Sequence, residues 1–517
     1  MAEASPELYL SLLSGRDRSD EYRDNHIGTH LSSLKFPKDP HRLFDILDAL
    51  AAICVSQDKG DVFFVALSMK TSATLYVATN GTVQTRVVDY LHRVHGQLNE
   101  LKLVLEHGSP PPNIEYPDSN NTDLRNEGER KIQKTIYEHT YLKFRKRFNK
   151  RGPEILFHYD RITKDLEAKN DPEDIEILHL THEALSNIGN CLLDETPHEA
   201  TVTDLIQELD ALSAAWRPAL DAGRDEGGKK DEVKEVKKFE DLLTRWDDLT
   251  VVKEDRRLSL RRFLQKMLTL HQHIRRILRI ARSKRLSPFL AEGFAVVPVP
   301  ATPGKLSVQF SQQKVLSIAF PHARETMDDA KKAIYDELMH RLMSKADSET
   351  IKIESKKAKG PLELLVPKTD VHAECRLLSY NVQNPDIDSY PYFGGSKLSC
   401  HGCATFFKAY NAVSGSFNQY FTKGSHDKIY LRWLYPSLLS PEEPIRGATS
   451  LDVKVQEEMK KILGGELAVY ASELQQRAGE ASSAELDSTD GSGDSREAEV
   501  ADLTLLRAMH GLRQASI

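Results

Sequence analysis

One histidine, one glutamate and two cysteines stand in this chain at spacings that suit a metal-assisted reaction. His372 and Glu374 lie two apart in HAE, and Cys400 and Cys403 form a CxxC pair that begins 28 residues after the histidine. Imidazole and two thiolates are ligands that zinc favours. A catalytic zinc takes three protein ligands and leaves a fourth position open for water. Glu374 stands close to such an ion without being needed as a ligand, so it is placed to take a proton from the attacking water and hand it on. Leu377 and Leu378 follow the first half, and Phe406, Phe407 and Tyr410 follow the second. Both halves therefore read as helix amino termini, where the backbone favours negative charge and lowers thiol pKa. The intervening YPYFGGSKL has an aromatic start that suits a strand. A structural zinc would need a fourth ligand. His401 and Cys375 are nearby, but Cys375 directly follows Glu374 and is expected to point elsewhere on its helix.

The elements that must hold these residues are spread along the chain. Leu43, Ile46, Leu47, Leu50 and Ile53 recur at helical spacing, and VFFVALSM and ATLYVATNG follow as two short extended runs, so residues 40–82 read as a helix and a β-hairpin. Helices are expected near 84–106, 122–150, 171–192 and 201–216. The charged, glycine-containing stretch 221–238 reads as an exposed linker. The basic amphipathic helix 255–286 carries a seam of Leu260, Leu264, Met267, Ile274 and Ile277 and closes at Ser287-Pro288. That seam predicts packing, while its charges make it a candidate nucleic-acid surface or a face balanced by acids such as those in 231–247. Short β-type runs occupy 294–321, a helix 324–345, and an extended LELLVP leads into HAE. After Pro436 the chain becomes rich in Glu, Ala and Ser. Helices are expected near 452–477 and 499–513, with disorder at 488–499. His179 and His182 read as structural.

Composition sets outer limits. The chain has 517 residues, 40% hydrophobic and 28% charged, with a formal net charge of −7. That length predicts more than one folded region or a domain with a large insertion. The acidic balance argues against whole-chain attraction to nucleic acid. Five scattered cysteines do not make a disulfide scaffold, and no basic start with an apolar run marks a secretory signal. With no run of about 18 apolar residues, the expectation is a soluble intracellular protein, cytoplasmic or nuclear, without membrane contact.

HxE followed by CxxC, with a glutamate that is not a ligand, is the pattern of zinc deaminases that attack C4 of cytosine or C6 of adenine. Over roughly residues 362–440 the chain resembles the cytidine-deaminase-like superfamily, and more narrowly its fungal-expanded, Orientia-type deaminase-like family. The resemblance rests on HAECRLLSY, YFGGSKLSCHGC, GSH at 424–426 and RWLYP at 432–436. One departure is Ser399, where the superfamily usually has proline. The resemblance implies an α/β/α three-layer domain that holds Zn2+ on His372, Cys400 and Cys403, with Glu374 moving protons. Its substrate would be a nucleobase in a nucleoside, nucleotide or nucleic acid. It also implies candidate substrate contacts at Asn80, His426 and Trp433. Such folds begin with a helix and two antiparallel strands ahead of the HxE helix, and residues 40–82 offer that order. The expected organisation is therefore a split core of 40–82 and 361–440, a mainly helical insertion over 83–360, and a helical or partly disordered tail at 441–517. A hairpin drawn from 294–320 is the competing choice. The competing function is a helical interaction protein whose deaminase-like module keeps zinc only for stability.

Overall fold

A computed structural model describes residues 4–16, 41–57, 61–70, 72–107, 121–168, 172–221, 241–244, 246, 251–253, 256–257, 259–321, 329–355, 361–415, 419–439 and 451–487. In chain order, helix α1 is Pro6–Leu13 and α2 is His41–Ile53. Strands β1 (Phe63–Met69) and β2 (Ala73–Thr79) follow, then helices α3 (Thr85–His107), α4 (Asn121–Ala168), α5 (Pro172–Cys191) and α6 (Glu199–Asp221). After the small pair β3 (Val251–Lys253) and β4 (Arg256–Arg257) come α7 (Leu260–Arg282), β5 (Ala295–Pro298), β6 (Pro303–Phe310), α8 (Gln312–Ala319) and α9 (Asp329–Ser348). The final run is β7 (Ile353–Ser355), β8 (Leu362–Asp370), α10 (Ala373–Gln383), β9 (Gly394–Gly395), α11 (His401–Ser414) and α12 (Leu451–Asp487). The protein is α/β, mostly helical, with small sheets.

The strand pair β1–β2 explains the arrangement. Successive side chains on a strand point to opposite faces. In β1, Phe63, Val65 and Leu67 enter one core with helices α2 to α7, whereas Phe64 and Ala66 enter a second core with α1 and α8 to α12. Both faces are covered, so the strand reads as a continuous apolar run rather than an alternating one. β1 and β2 pair in antiparallel register from Phe63↔Thr79 to Met69↔Ala73. The sheet order is β5-β2-β1-β9, with β5 parallel to β2 through Thr74↔Ala295 and Leu75↔Val296. Of the three β-type runs expected over 294–321, the first two part company and the third is not a strand: Ser311 caps α8, which takes up Gln312–Ala319 and buries Val315, Leu316 and Ala319. β5 joins this sheet, while β6 pairs with β8 in a separate β6-β8-β7 sheet.

Residues far apart in sequence meet around β9. The strand expected over YPYFGGSKL narrows to Gly394–Gly395, paired to Val65 and Phe64. α2 crosses so closely here that a Cβ on Gly394 would stand 2.2 Å from the Leu47 backbone. Buried Asp48 of α2 accepts from the Gly395 N–H (2.9 Å) and the Tyr392 hydroxyl (3.1 Å), with Lys423 3.5 Å away. Burial raises the Asp48 pKa against the opposing pull of Lys423. Phe63 and Ser396 are tied twice, N–H to Oγ and N–H to carbonyl, each at 2.9 Å.

Two helices differ from their sequence expectation. α4 does not stop near residue 150 but continues through Pro153 to Ala168. Proline removes one backbone bond in a helix interior, and burial of Ile155, Tyr159 and Ile162 in the helical core offsets that loss. α12 extends beyond residue 477 to Asp487. It lays Val455, Met459, Leu463 and Leu467 into the second core, so this part of the tail is packed structure. The linker residues 222–238, the stretch 488–499 and the helix expected at 499–513 lie outside the described residues.

The basic helix is largely a core element. α7 buries Leu260, Phe263, Leu264, Met267, Leu268, Ile274 and Ile277. Its arginines meet acids from other helices: Arg275 with Asp210 (3.4 Å), Arg276 with Asp45 (3.6 Å), and Arg282 with Glu129. These acids come from α6, α2 and α4, while most of the acidic stretch 231–247 lies outside the described residues. Among the described residues, no helix is long and apolar enough to cross a membrane.

Candidate metal centre

The amino termini of α10 and α11 converge. His372 and Cys400 are their N-cap residues, both extended, and neither side chain caps its own helix. Both side chains are instead turned to a common point. His372 Nδ1 lies 3.5 Å from Cys400 Sγ and 3.3 Å from Cys403 Sγ, and the two sulfurs are 3.4 Å apart. Tetrahedral zinc, with bonds of about 2.3 Å to sulfur and about 2.0 Å to nitrogen, sets its ligand atoms about 3.5–3.8 Å apart. The three donors therefore fit zinc in type and nearly in spacing. Among the described residues, they are the one group of three or more mutually close metal-ligating side chains.

Because the His372 imidazole faces the sulfurs, the opening N–H groups of α10 need another acceptor. It comes from the end of β2, where Asn80 Oδ1 accepts from the Ala373 N–H at 3.0 Å. Arg376, which the sequence reading passed over, reinforces that join. Its guanidinium donates to Gly81 O (2.7 Å) and Val371 O (3.0 Å). The only hint was a cation two positions past Glu374 on a helix otherwise buried along that face.

The surroundings settle each candidate's place. Glu374 is 3% exposed and acts electrostatically on both His372 and Cys403. Trp433 is also buried and donates Nε1–H to Cys403 Sγ at 3.3 Å. His426 donates its backbone N–H to Ser399 O (2.9 Å) and accepts at Nδ1 from the Lys428 N–H (3.2 Å), which places its ring proton on Nε2. Tyr430 stands between the two histidines, its ring centre 6.2 Å from His372 and 5.9 Å from His426. Cys375 stays outside the donor group, although its buried thiol interacts electrostatically with that of Cys403. His401 is turned away, with Nε2 3.0 Å from Glu466 on α12 and Nδ1 3.7 Å from Asp427.

Burial pushes the Cys400 and Cys403 thiols well above their ordinary range. Burial works the other way on His372, but Cys400 and Glu374 outweigh it and raise that pKa to about 9. Groups that hold protons this firmly release them to a bound cation, so metal uptake here is coupled to proton loss.

Ser399 also finds a reason in the geometry. Its N–H donates to Gly424 O at 2.9 Å, and its Oγ lies 3.2 Å from the Thr422 hydroxyl. A proline has no N–H to make the first of these bonds. The serine thus stitches the turn before CxxC to residues 422–426.

The same segment that carries this geometry resembles a known family. Residues 371–437 match the model of the OTT_1508-like deaminases, a cytidine-deaminase-like family. This segment is similar to the OTT_1508-like deaminases. No curated protein and no solved structure matches the chain. The OTT_1508-like segment contains all three members of the donor cluster, together with Glu374, His426 and Trp433. Asn80, Asp48 and β1 lie outside it, yet they bond directly to it.

Proposed function

We propose that the protein is a zinc-dependent hydrolytic deaminase that replaces the exocyclic amine of a nucleobase with oxygen and releases ammonia. The observation that carries this reading is the convergence of two helix amino termini on three zinc-type donors, with His401 turned away and Glu374 held beside them. A zinc ion held by His372, Cys400 and Cys403 supplies Lewis acidity strong enough to bring the pKa of a water toward neutrality. Glu374 then takes one proton from the attacking water on its carboxylate and delivers it to the ring nitrogen. It next moves the second proton to the departing amine, so water and amine become carbonyl and ammonia. Trp433 donates to Cys403 and steadies that thiolate. His426, with its proton on Nε2, offers the substrate one donor, and the Asn80 amide nitrogen offers another.

We propose further that the working core is an α/β/α three-layer domain assembled from residues 40–82 and 361–440, with 83–360 inserted. Support comes from the two-sided burial of β1, its pairing with β9, and the bonds from Asp48 and Asn80 into the OTT_1508-like segment.

The test is ammonia release from bases, nucleosides, nucleotides and single-stranded polymers, compared for wild type and Glu374→Gln with zinc content measured in both. The expected outcome is one stoichiometric zinc in each protein and a loss of about 10²-fold or more in the variant. Equal activity in the two proteins, or ammonia from no substrate class with zinc in place, overturns the proposal. The latter result favours zinc held for stability alone.

A further inference from the structure

A small cavity of about 30 Å³ lies where α4 and α7 meet the loop that leads into the CxxC pair. Its polar lining is Lys143, Arg147, His273 and the hydroxyl residues Thr140, Thr269 and Ser396, and no carboxylate lines it. Lys143 and Arg147 are four apart on α4 and share one face, an arrangement of like charges that costs stability unless something offsets it. Among the described residues, no carboxylate lies within ion-pair distance of Lys143, Arg147 or Lys397. Among the described residues Arg147 has a single bond, to the Lys266 carbonyl at 3.2 Å. Asp61 is the carboxylate that acts on Lys143, against repulsion from Arg147 and Lys397.

The neutral groups are also arranged as donors. His273 is buried, and its Nδ1 lies 3.5 Å from the Arg276 guanidinium, which places the ring proton on Nε2. Burial, followed by Lys423, Arg276, Arg147 and Lys143, lowers its pKa to about 3, so the ring is uncharged at neutral pH. Ser396 Oγ already accepts from the Phe63 N–H, which leaves its hydroxyl proton to donate. Burial and the neighbouring Arg147 and Lys397 bring Lys143 down to about 7. An anion would reverse that cost.

We propose that this cavity binds a phosphoryl group or an equivalent tetrahedral oxyanion, with Lys143 and Arg147 supplying charge and Ser396 and His273 supplying neutral donors. Charge-assisted donors converging in a half-buried setting are what such oxyanions need. The volume holds roughly two waters, the scale of one terminal phosphate and too small for a base. The site stands independently of deamination, because its residues are not in the donor cluster. Ser396 lies only four residues before Cys400, however, so the phosphate of a base-bearing substrate and a free inorganic anion are its two natural sources.

The probes are inorganic phosphate and sulfate, titrated into zinc-loaded full-length protein and compared with chloride at equal ionic strength. Wild type is expected to gain thermal stability with either oxyanion and not with chloride. Sulfate does not titrate near neutrality, so its binding at pH 7.5 should take up a proton as Lys143 charges. Calorimetry in two buffers of different ionisation heat reads this without any variant. Lys143→Met should weaken binding about tenfold or more and abolish the proton uptake. Lys143→Arg should retain binding, and Lys131→Met on the same helix should leave it unchanged. Oxyanions that stabilise no more than chloride, or Lys143→Met binding as wild type, overturn the proposal. A nucleoside monophosphate that displaces sulfate, where the parent nucleoside does not, assigns the phosphate to a substrate. Sulfate binding without such competition assigns it to a free anion.

Discussion

Replacing Asn80 with alanine tests how the HxE helix is held. Its Oδ1 is the acceptor for the Ala373 N–H, 3.0 Å away across 293 positions of sequence. Ala373 itself is fully buried, and its N–H loses this acceptor. Losing an N-cap acceptor costs about 0.5–2 kcal/mol, and leaving a buried donor unpaired costs about 1–3 kcal/mol. Asn80→Ala should therefore destabilise the protein by about 2 kcal/mol. Asn80→Asp keeps an acceptor oxygen and adds negative charge at a helix amino terminus, so it should lie near wild type. The assay is urea unfolding of zinc-loaded protein, followed by the fluorescence of its three buried tryptophans, with zinc affinity from chelator competition. The alanine variant should unfold at lower urea and hold zinc less tightly, since His372 begins the same turn. If it unfolds at the wild-type midpoint, the capping argument is wrong. Unchanged stability and zinc affinity with lost deamination would assign Asn80 to substrate contact alone.

Three further outcomes follow from the same geometry. Ser399→Pro removes the N–H bonded to Gly424 and should cost about 1–3 kcal/mol in urea unfolding; a neutral result would mean that the turn tolerates either residue. Gly394→Ala drives a Cβ into the Leu47 backbone, which cannot yield as a side chain would, and should cost about 3 kcal/mol or displace β9 from β1, read by hydrogen exchange at Phe64 and Val65. His139 stacks on Tyr90 and bonds to Cys54 O, and burial lowers its pKa from 6.5 to about 4. The folded state then binds fewer protons than the unfolded one, so this residue's share of stability is present above pH 6.5 and lost as pH falls through about 4. His139→Gln should flatten that acid limb of the stability profile, and an unchanged limb would exclude His139 as its source.

The donor cluster was legible because its spacing carries the chemistry: HAE and CHGC each place ligands on the first turn of a helix, a local geometry that few contexts disturb. The helix and hairpin at 41–79 were legible for the same reason, since their apolar periods are short-range signals. Long-range arrangements were not legible. Nothing in GGSKL reveals that Asp48 will bond to Gly395, or that Gly394 and Gly395 will be the residues that pair with β1. The charges of α7 gave no sign in the sequence that Arg275, Arg276 and Arg282 would meet Asp210, Asp45 and Glu129. Pro153 reads as a stop in any local rule, and only packing carries α4 past it.

The bond between Phe63 and Ser396 spans 333 positions, and this separation sets a timetable for the chain. At about 5–20 residues per second, a ribosome needs roughly 20–70 s to reach Ser396 after making Phe63. Throughout that interval β1 has β2 on one side and an open edge on the other, with Phe63, Phe64 and Val65 beside unpaired backbone. Exposed apolar strand edges recruit other chains. The nascent protein therefore has a defined period of vulnerability, which closes when Gly394 and Gly395 emerge and complete the edge. Yield during synthesis should depend on chaperone supply over that window more than on the stability of the finished fold.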